Sequence, residues 1–475
     1  MTFKEISTPA YVVDERKLKE NLRILKEVQD KSGAKILLAQ KAYSVYQTYP
    51  LIANYLAGAT ASGIYEARLA HEEFKFPGYG LNKCGFSKPE NHVFEPAFKD
   101  DEMEEVCAIC DHVVFNSLSQ LEHHRPVWER YVSSGSLSVG LRINPEFRSD
   151  DGHEIYDPCA PGSRLGIRNE DMPKTLPRGV EGLHFHNLCE QGFDPLEDTF
   201  LKVEKDFHRF FPKPLIEEDY DSYIFNMIGG NEADSFEDTA GAEAAGMPSG
   251  VSTGGQPETG TAGEQPIGIN AADQPETGTA GTAPYGQRDQ QSDLPCIKWI
   301  NLGGGHHITR EDYDLEGLIR LVSYIRARYG IDVYLEPGEA IALNAGYLVT
   351  TVMDVVETDR IPVLVLDTSA ACHMPDVLEM PYRPPLRDSE QPGEMNYTYR
   401  LSSRTCLAGD VIGDYSFEEE KKVGDRLIFE DMAIYSMVKN NTFNGMALPD
   451  IDILHEDGTV EVLKKFDYSD FKSRL

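Results

Sequence analysis

Lys41 closes the apolar run Ile36–Gln40. A lysine placed directly after a buried strand sits where its ammonium is poorly solvated. Burial favours the neutral amine, which attacks carbonyls and forms Schiff bases. A lysine that merely reaches solvent from a strand end reads the same way. Gly303, Gly304 and Gly305 follow the strand-like run Ile297–Leu302 and precede Thr309, a helix-capping residue type. Three successive glycines let backbone N–H groups approach an anion such as phosphate, although a flexible loop would look alike. The triplet is neither a Walker motif nor GxGxxG. Glu336 lies in Leu-Glu-Pro-Gly-Glu-Ala, where Pro337 and Gly338 force a turn. A buried carboxylate there needs a partner, either an arginine or a protonated ring nitrogen.

His184 and His186 lie two apart in Gly182–His186, on one face of a strand. An imidazole there can stack on a flat ring or fill a core. With His306-His307 the spacing also suits a metal, but no HExxH and no dense carboxylate set accompanies it, so no metal is expected. Asn116, Arg142 and Asn144 sit at further strand ends. Cys107-x₂-Cys110 has no second pair and reads as inert. Later in the chain Cys406-Leu-Ala-Gly-Asp410 puts a thiol and a carboxylate around a glycine turn. A thiol whose pKa is not depressed can donate a proton; a buried loop cysteine is the plain alternative. Tyr435 could donate its hydroxyl to a phosphate or simply pack.

These residues need a frame that brings them together. Strand candidates fall at Ile36–Gln40, Ala57–Ser62, Gly78–Lys83, His112–Asn116, Ser138–Ile143, Gly182–His186, Ile297–Leu302 and Asp332–Leu335, several followed by helix-period stretches such as Ser117–Tyr131 and Asp312–Tyr329. Such alternation means βαβ units and a parallel sheet, and eight units fit a (β/α)8 TIM barrel, with a doubly wound sheet as runner-up. In a barrel, groups at the C-terminal strand ends share one mouth. After about Ala340 the chain turns β-rich: Tyr347–Val356, Ile361–Asp367, Asp425–Phe429 and Thr459–Leu463. This predicts a second, mostly antiparallel β domain, joined by a strand near Phe3–Ile6. The expected division is 12–340 for the barrel, with 1–11 and 341–475 forming the β domain.

One stretch belongs to neither. Residues 229–293 have Phe236 and Tyr285 as their only aromatics, and QPETGTAG occurs at 256–263 and 274–281. Too little apolar surface is present to offset ordering entropy. A disordered acidic insertion that hangs free is the expectation, and the fold can tolerate its length. Over all 475 residues the charge is 45 − 79 = −34, which argues against nucleic acid or an anionic membrane as partner. No apolar run approaches the ~18 residues of a membrane helix. No basic, apolar leader is apparent at Met1–Val13, so a cytoplasmic protein with free thiols is expected.

Each signal is modest; their order is not. TPAYVVDERKLKENL, LLAQKAYS, DPCAPGSRLG, HFHNLCE, NLGGGHH, EPGEA, HMPDVLEMPYRP, CLAGD and the run ending in FNG together resemble the alanine-racemase-like (fold type III) pyridoxal 5′-phosphate-dependent decarboxylases, and within them the carboxynorspermidine/carboxyspermidine decarboxylase branch. The likeness covers nearly the whole chain except 229–293. It implies a barrel plus β domain working as a homodimer with shared active sites. Lys41 would hold the cofactor aldehyde, His186 would stack on its ring and Arg142 would lie beside it. Gly303, Gly304, Gly305 and Tyr435 would hold the phosphate, and Glu336 would face the ring nitrogen, sustaining the electron sink. Cys406 and Asp410 would reach in from the partner subunit, Cys406 as proton donor. HFHNLCE departs from the HxGS-type sequence of other members, so a serine contact to phosphate is lost or moved.

Charge bears on substrate. Diaminopimelate decarboxylases carry arginine in the EPG turn and again in the segment matching VLEMPY; Glu339 and Glu379 stand here instead, with Asp376 nearby. Carboxylates suit a substrate whose far end carries ammonium groups, such as a cationic carboxylated triamine decarboxylated to norspermidine or spermidine. The rivals are diaminopimelate decarboxylation and a non-catalytic cofactor carrier; the latter is typically a lone barrel, which the β domain argues against.

Overall fold

A computed structural model describes residues 3–76, 81–148, 157–228 and 295–475. Contacts divide the chain into two units, 1–223 with 294–475, and 224–293. The insertion 229–293 lies outside the described residues.

Eight parallel strands close into a barrel: β2 (Lys35–Ala39), β3 (Gly58–Ala61), β4 (Glu90–Glu95), β5 (His112–Phe115), β6 (Ser138–Asn144), β8 (Val180–His184), β9 (Trp299–Asn301) and β10 (Asp332–Leu335). β5 pairs with β6 and β10 with β2, which leaves only the two-residue β7 (Ile167–Arg168) as an appendage on β6. Seven of the eight expected strands are present. The Gly78–Lys83 candidate is wrong: 78–80 lie outside the described residues, and 81–83 form a loop held by Asn82, whose amide donates to Ala53 and Leu56 carbonyls, each at 3.0 Å. The true strand is β4, whose polar sequence Glu-Asn-His-Val-Phe-Glu hides its burial, because the Asn91 amide nitrogen and one His92 ring nitrogen find partners inside. Asn91 Nδ2 donates to the carbonyls of Ala67 and Ile109, both 3.0 Å, and His92 meets Glu90 at 3.0 Å.

Side chains alternate across a strand, and along β2, β8, β9 and β10 every second residue enters the barrel. At the floor, Lys35 Nζ meets Glu90, Asp332 and the Tyr334 hydroxyl at 2.9, 3.1 and 3.0 Å. One layer higher the indole of Trp299 fills the space left by Gly140 and Gly182; a Cβ on Gly182 would stand 2.1 Å from the indole, one on Gly140 2.3 Å. Above Trp299 comes Asn301, above Gly182 come His184 and His186, above Tyr334 comes Glu336, and above Lys35 come Leu37, Ala39 and Lys41. A packed floor and a reactive mouth are two ends of the same period-two pattern.

The second sheet has the order β14–β13–β12–β11–β1–β16–β17, with β15 also on β11. Its strands are β1 (Ala10–Asp14), β11 (Gly346–Val356), β12 (Val363–Leu366), β13 (Tyr397–Ser403), β14 (Val411–Phe417), β15 (Arg426–Glu430), β16 (Asp450–Leu454) and β17 (Val460–Lys464). Most pairs are antiparallel, while β1–β16 and β12–β13 are parallel. The N-terminal strand is Ala10–Asp14, so residues 12–14 lie in this sheet rather than in the barrel. Phe3–Glu5 is a short 3-10 helix, with Phe3 packed edge-on against Tyr347 at 5.2 Å. Asp14 ends β1 and also caps the helix Glu15–Ser32, accepting from the Lys17 N–H at 3.1 Å. The sheet and the barrel's first helix are thereby spliced at one residue.

Adding a methyl at Gly182 forces the indole out of its slot. Gly182→Ala is expected to lower stability by about 1–3 kcal/mol, measured by urea unfolding, whereas Gly135→Ala, which has open space around it but a positive φ, tests only backbone strain.

Candidate active site

Lys41, Arg142, His184, His186, Asn301, Gly303–Gly305 and Glu336 meet at the barrel mouth. Lys41 Nζ lies 3.4 Å from His186 Nε2. Burial, reinforced by the Arg142 guanidinium, pushes the Lys41 pKa below its ordinary value, so its neutral form is favoured. The Arg142 side chain donates to the His186 carbonyl at 2.8 Å and lies over the Phe94 ring at 4.6 Å. Burial brings its own pKa down to about 10, so it stays cationic at neutral pH.

His186 has a defined tautomer. The Gly304 N–H donates to its Nδ1 at 3.0 Å, so Nδ1 carries no proton. Burial first, then the cations of Lys41 and Arg142, lowers its pKa well below the usual value. The ring is neutral, with its proton on Nε2, facing Lys41.

Glu336 is treated in the opposite way. Burial alone would raise its pKa, but His184 and an amide hydrogen bond outweigh this and bring it down to about 2. Asn301 Nδ2 donates to its Oε1 at 2.7 Å, and His184 Nε2 lies 3.3 Å from Oε2. The glycine triplet is built onto the neighbouring loops. Gly303 and Gly305 have φ of 70° and 81°. A Cβ on Gly304 would stand 2.1 Å from the Glu336 carbonyl oxygen, and one on Gly305 1.9 Å from that of Leu188. Only glycine fits. The N–H groups of Gly303 and Gly304 are engaged inside the protein, by Asn301 Oδ1 at 2.9 Å and by His186. Of the three, Gly305 is the member not drawn into those two bonds.

The second sheet reaches this mouth through Tyr435. Its N–H donates to the carbonyl of Ala42 at 2.9 Å, next to Lys41, and its own φ is 48°. Burial, then Glu339, Cys189 and Asp376, raises its phenol pKa, which keeps the hydroxyl a donor. Tyr382 is raised by burial and by Asp376, Asp431, Glu190 and Glu339. A rim of carboxylates thus surrounds both phenols.

Within that rim the acids have partners. Glu339 pairs with His307, and Lys439 pairs with Asp376 and, at 3.3 Å, with Glu379. Asp410 does not belong to the rim. It is fully buried and accepts from Ser369, Ser403, Thr405 and the Ala371 N–H at 2.6, 2.5, 2.5 and 3.1 Å. Its lone pairs hold the turn together, so in this chain Asp410 has a structural task where a substrate contact was expected. Cys406, at the other end of that turn, is exposed, its N–H bonded to Asn444 Oδ1 at 2.8 Å. Cys107 and Cys110 are buried free thiols whose pKa values burial raises, Cys107 to about 12. Asn116 and Asn144 hold the Arg164–Gly166 loop by backbone hydrogen bonds. Asn301 was missed by sequence reasoning, as was the support His184 gives to Glu336. The available signal was the inward alternation Trp299-Asn301-Gly303, which places that amide beside the end of the next strand.

The donor set fits pyridoxal phosphate: an amine of lowered pKa for its aldehyde, an ionised carboxylate for its ring nitrogen, a flat imidazole for its ring, and a glycine turn and phenol for its phosphate. A TIM barrel carrying these groups, with a β domain against its mouth, defines a pyridoxal-dependent decarboxylase, and the chain belongs to that family: residues 10–433 match the family described as "Pyridoxal-dependent decarboxylase, C-terminal sheet domain". Among named relatives, the chain is 33% identical to carboxynorspermidine/carboxyspermidine decarboxylase of Campylobacter jejuni, covering 100% of both chains. It is also 33% identical to carboxyaminopropylagmatine decarboxylase of Synechocystis, over 99% of this chain and 96% of that one. The crystal structure of carboxynorspermidine decarboxylase from C. jejuni complexed with norspermidine superposes with a TM-score of 0.72 at 31% identity, covering 99% and 100% of the two chains. Diaminopimelate decarboxylase from Helicobacter pylori shares the fold at 15% identity, TM-score 0.65.

Lys41→Ala should retain no cofactor after borohydride reduction, measured by intact mass. Arg142→Met removes a cation that holds the lysine pKa down. The amine pKa then rises and less neutral amine is present at pH 7. The pH of half-maximal cofactor capture, followed by visible absorbance, should climb by about 0.5–1 unit; an unmoved midpoint would show that Arg142 does not act on Lys41.

Proposed function

We propose that this enzyme decarboxylates carboxynorspermidine or carboxyspermidine to norspermidine or spermidine, as a cytoplasmic homodimer in polyamine biosynthesis. The observation that carries the substrate is the carboxylate rim around Tyr382 and Tyr435, with Glu339 acting on both phenols. A far end bearing ammonium groups is attracted there; a second carboxylate is repelled. The full-length likeness to the Campylobacter enzyme supports the same substrate class. Among the described residues no helix is long and apolar enough to cross a membrane.

The roles follow from the site. Bound pyridoxal phosphate supplies the sink for the electron pair that CO₂ leaves behind. Lys41, its pKa lowered by burial and by Arg142, is the amine that carries the cofactor and yields its place to the substrate amine. His186, with its tautomer fixed by Gly304, keeps a neutral flat ring beside Lys41. Glu336, held ionised, favours a protonated ring nitrogen. Gly305 and the Tyr435 hydroxyl take the phosphate. Cys406 returns a proton to the α-carbon, delivered from the partner subunit; its exposure in the single chain is what such a crossing residue requires.

The Synechocystis relative favours a second reading, carboxyaminopropylagmatine, whose far end is also cationic. Release of CO₂ should be measured across carboxynorspermidine, carboxyspermidine, carboxyaminopropylagmatine and diaminopimelate. The triamine acids are expected to exceed diaminopimelate by at least about 100-fold in kcat/KM; preference for diaminopimelate would overturn the substrate. Cys406→Ser should lower kcat by about 100-fold with the cofactor spectrum unchanged. Mixed Lys41→Ala and Cys406→Ala subunits should regain about a quarter of wild-type activity if each site uses both chains.

A further inference from the structure

Asn301 ends β9 and is 1% exposed. Its backbone is fixed on both sides, in register with His184 of β8 and with Tyr334 of β10, and its carbonyl accepts from the Phe185 N–H at 3.0 Å. The side chain therefore has little choice of direction. Its two ends are spent on different parts of the site. Oδ1 accepts from the Gly303 N–H at 2.9 Å, and Nδ2 donates to Glu336 Oε1 at 2.7 Å. A backbone N–H can only donate, so the oxygen must face Gly303 and the NH₂ must face Glu336. This order suits a Glu336 that is an acceptor, that is, ionised. The two parts also touch directly, because the Glu336 N–H donates to the Gly303 carbonyl at 2.7 Å.

We infer that Asn301 is a positioning residue that couples the glycine turn to the charge state of Glu336. The inference rests on the reading in which Glu336 serves the cofactor ring nitrogen and the glycine turn serves its phosphate. One amide fixes where the turn begins and also favours the anionic form of the carboxylate above Tyr334. His184 cannot replace it. That ring lies 3.3 Å from Oε2 and also lowers the Glu336 pKa, but it is the Asn301 amide whose other end holds the Gly303 N–H.

Two substitutions separate the halves of this role. Asn301→Asp keeps an oxygen for Gly303 but sets a carboxylate against Glu336 at hydrogen-bond distance. Two buried carboxylates so placed share a proton, so Glu336 loses charge while the turn stays in place. Asn301→Ala removes both bonds. The probes are pyridoxal phosphate itself, followed by visible absorbance across pH, and inorganic phosphate, followed by its competition with cofactor loading. For Asn301→Asp the expected result is a shift of at least about one unit in the absorbance–pH midpoint, which corresponds to tenfold in the protonation equilibrium. Its phosphate affinity should stay within about threefold of wild type. Asn301→Ala should shift the midpoint and also weaken phosphate by about tenfold or more. Equal midpoints in wild type and both variants, with folding intact by circular dichroism, would overturn the coupling and leave Asn301 a strand-end residue. Parallel loss of phosphate affinity in both variants would overturn it as well, because Asp would then fail to preserve the turn. If wild-type protein shows no absorbance change with pyridoxal phosphate, the underlying assignment of the cofactor site fails instead, and the two failures are told apart by that control.

Discussion

The barrel mouth treats two buried charges in opposite ways. Lys41 is pushed towards neutrality by burial and by Arg142, and Glu336 is held as an anion by Asn301 and His184. A carbonyl cofactor needs both at once: an amine free to attack and a carboxylate free to pair with a ring nitrogen. Uniform low polarity would neutralise both, and open water would charge both. The site separates them with specific partners, a guanidinium near one and an amide donor on the other, in a pocket whose backbone is fixed by strand register. His186 stands between these regimes, and its proton is placed on the Lys41 side by a single backbone N–H.

Much of this was legible in the chain. Lys41, His186, the glycine triplet and Glu336 each follow an apolar strand, and the eight-fold alternation of strand and helix brings strand ends to one mouth. Arg142 was legible for the same reason. What failed did so for physical causes. β4 looks too polar to be a strand until Asn91 and His92 are seen to bond inside. Asp410 looks like a ligand because sequence cannot show that four donors already surround it. Glu339, Asp376 and Glu379 were readable as a patch of negative charge, but their partners His307 and Lys439 come from distant segments or another turn. Asn301 escaped notice although it lies inside the expected strand Ile297–Leu302, because a strand run alone does not show which polar side chain meets the end of the next strand.

The sheet domain contributes to the mouth as well as to bulk stability. β1 passes its last residue to the barrel as a helix cap, and Tyr435 places a left-handed backbone against Ala42. The peptide adjoining the reactive lysine is therefore fastened from outside the barrel. Placement of the amine thus draws on both layers.

Trp299, wedged between Gly140 and Gly182, has a consequence for traffic. With the indole as a stopper and the Lys35–Glu90–Asp332 cluster sealing the base, the barrel is a blind-ended vessel. Among the described residues, a molecule bound at the strand ends has packed side chains beneath it, so it comes and goes on the mouth side.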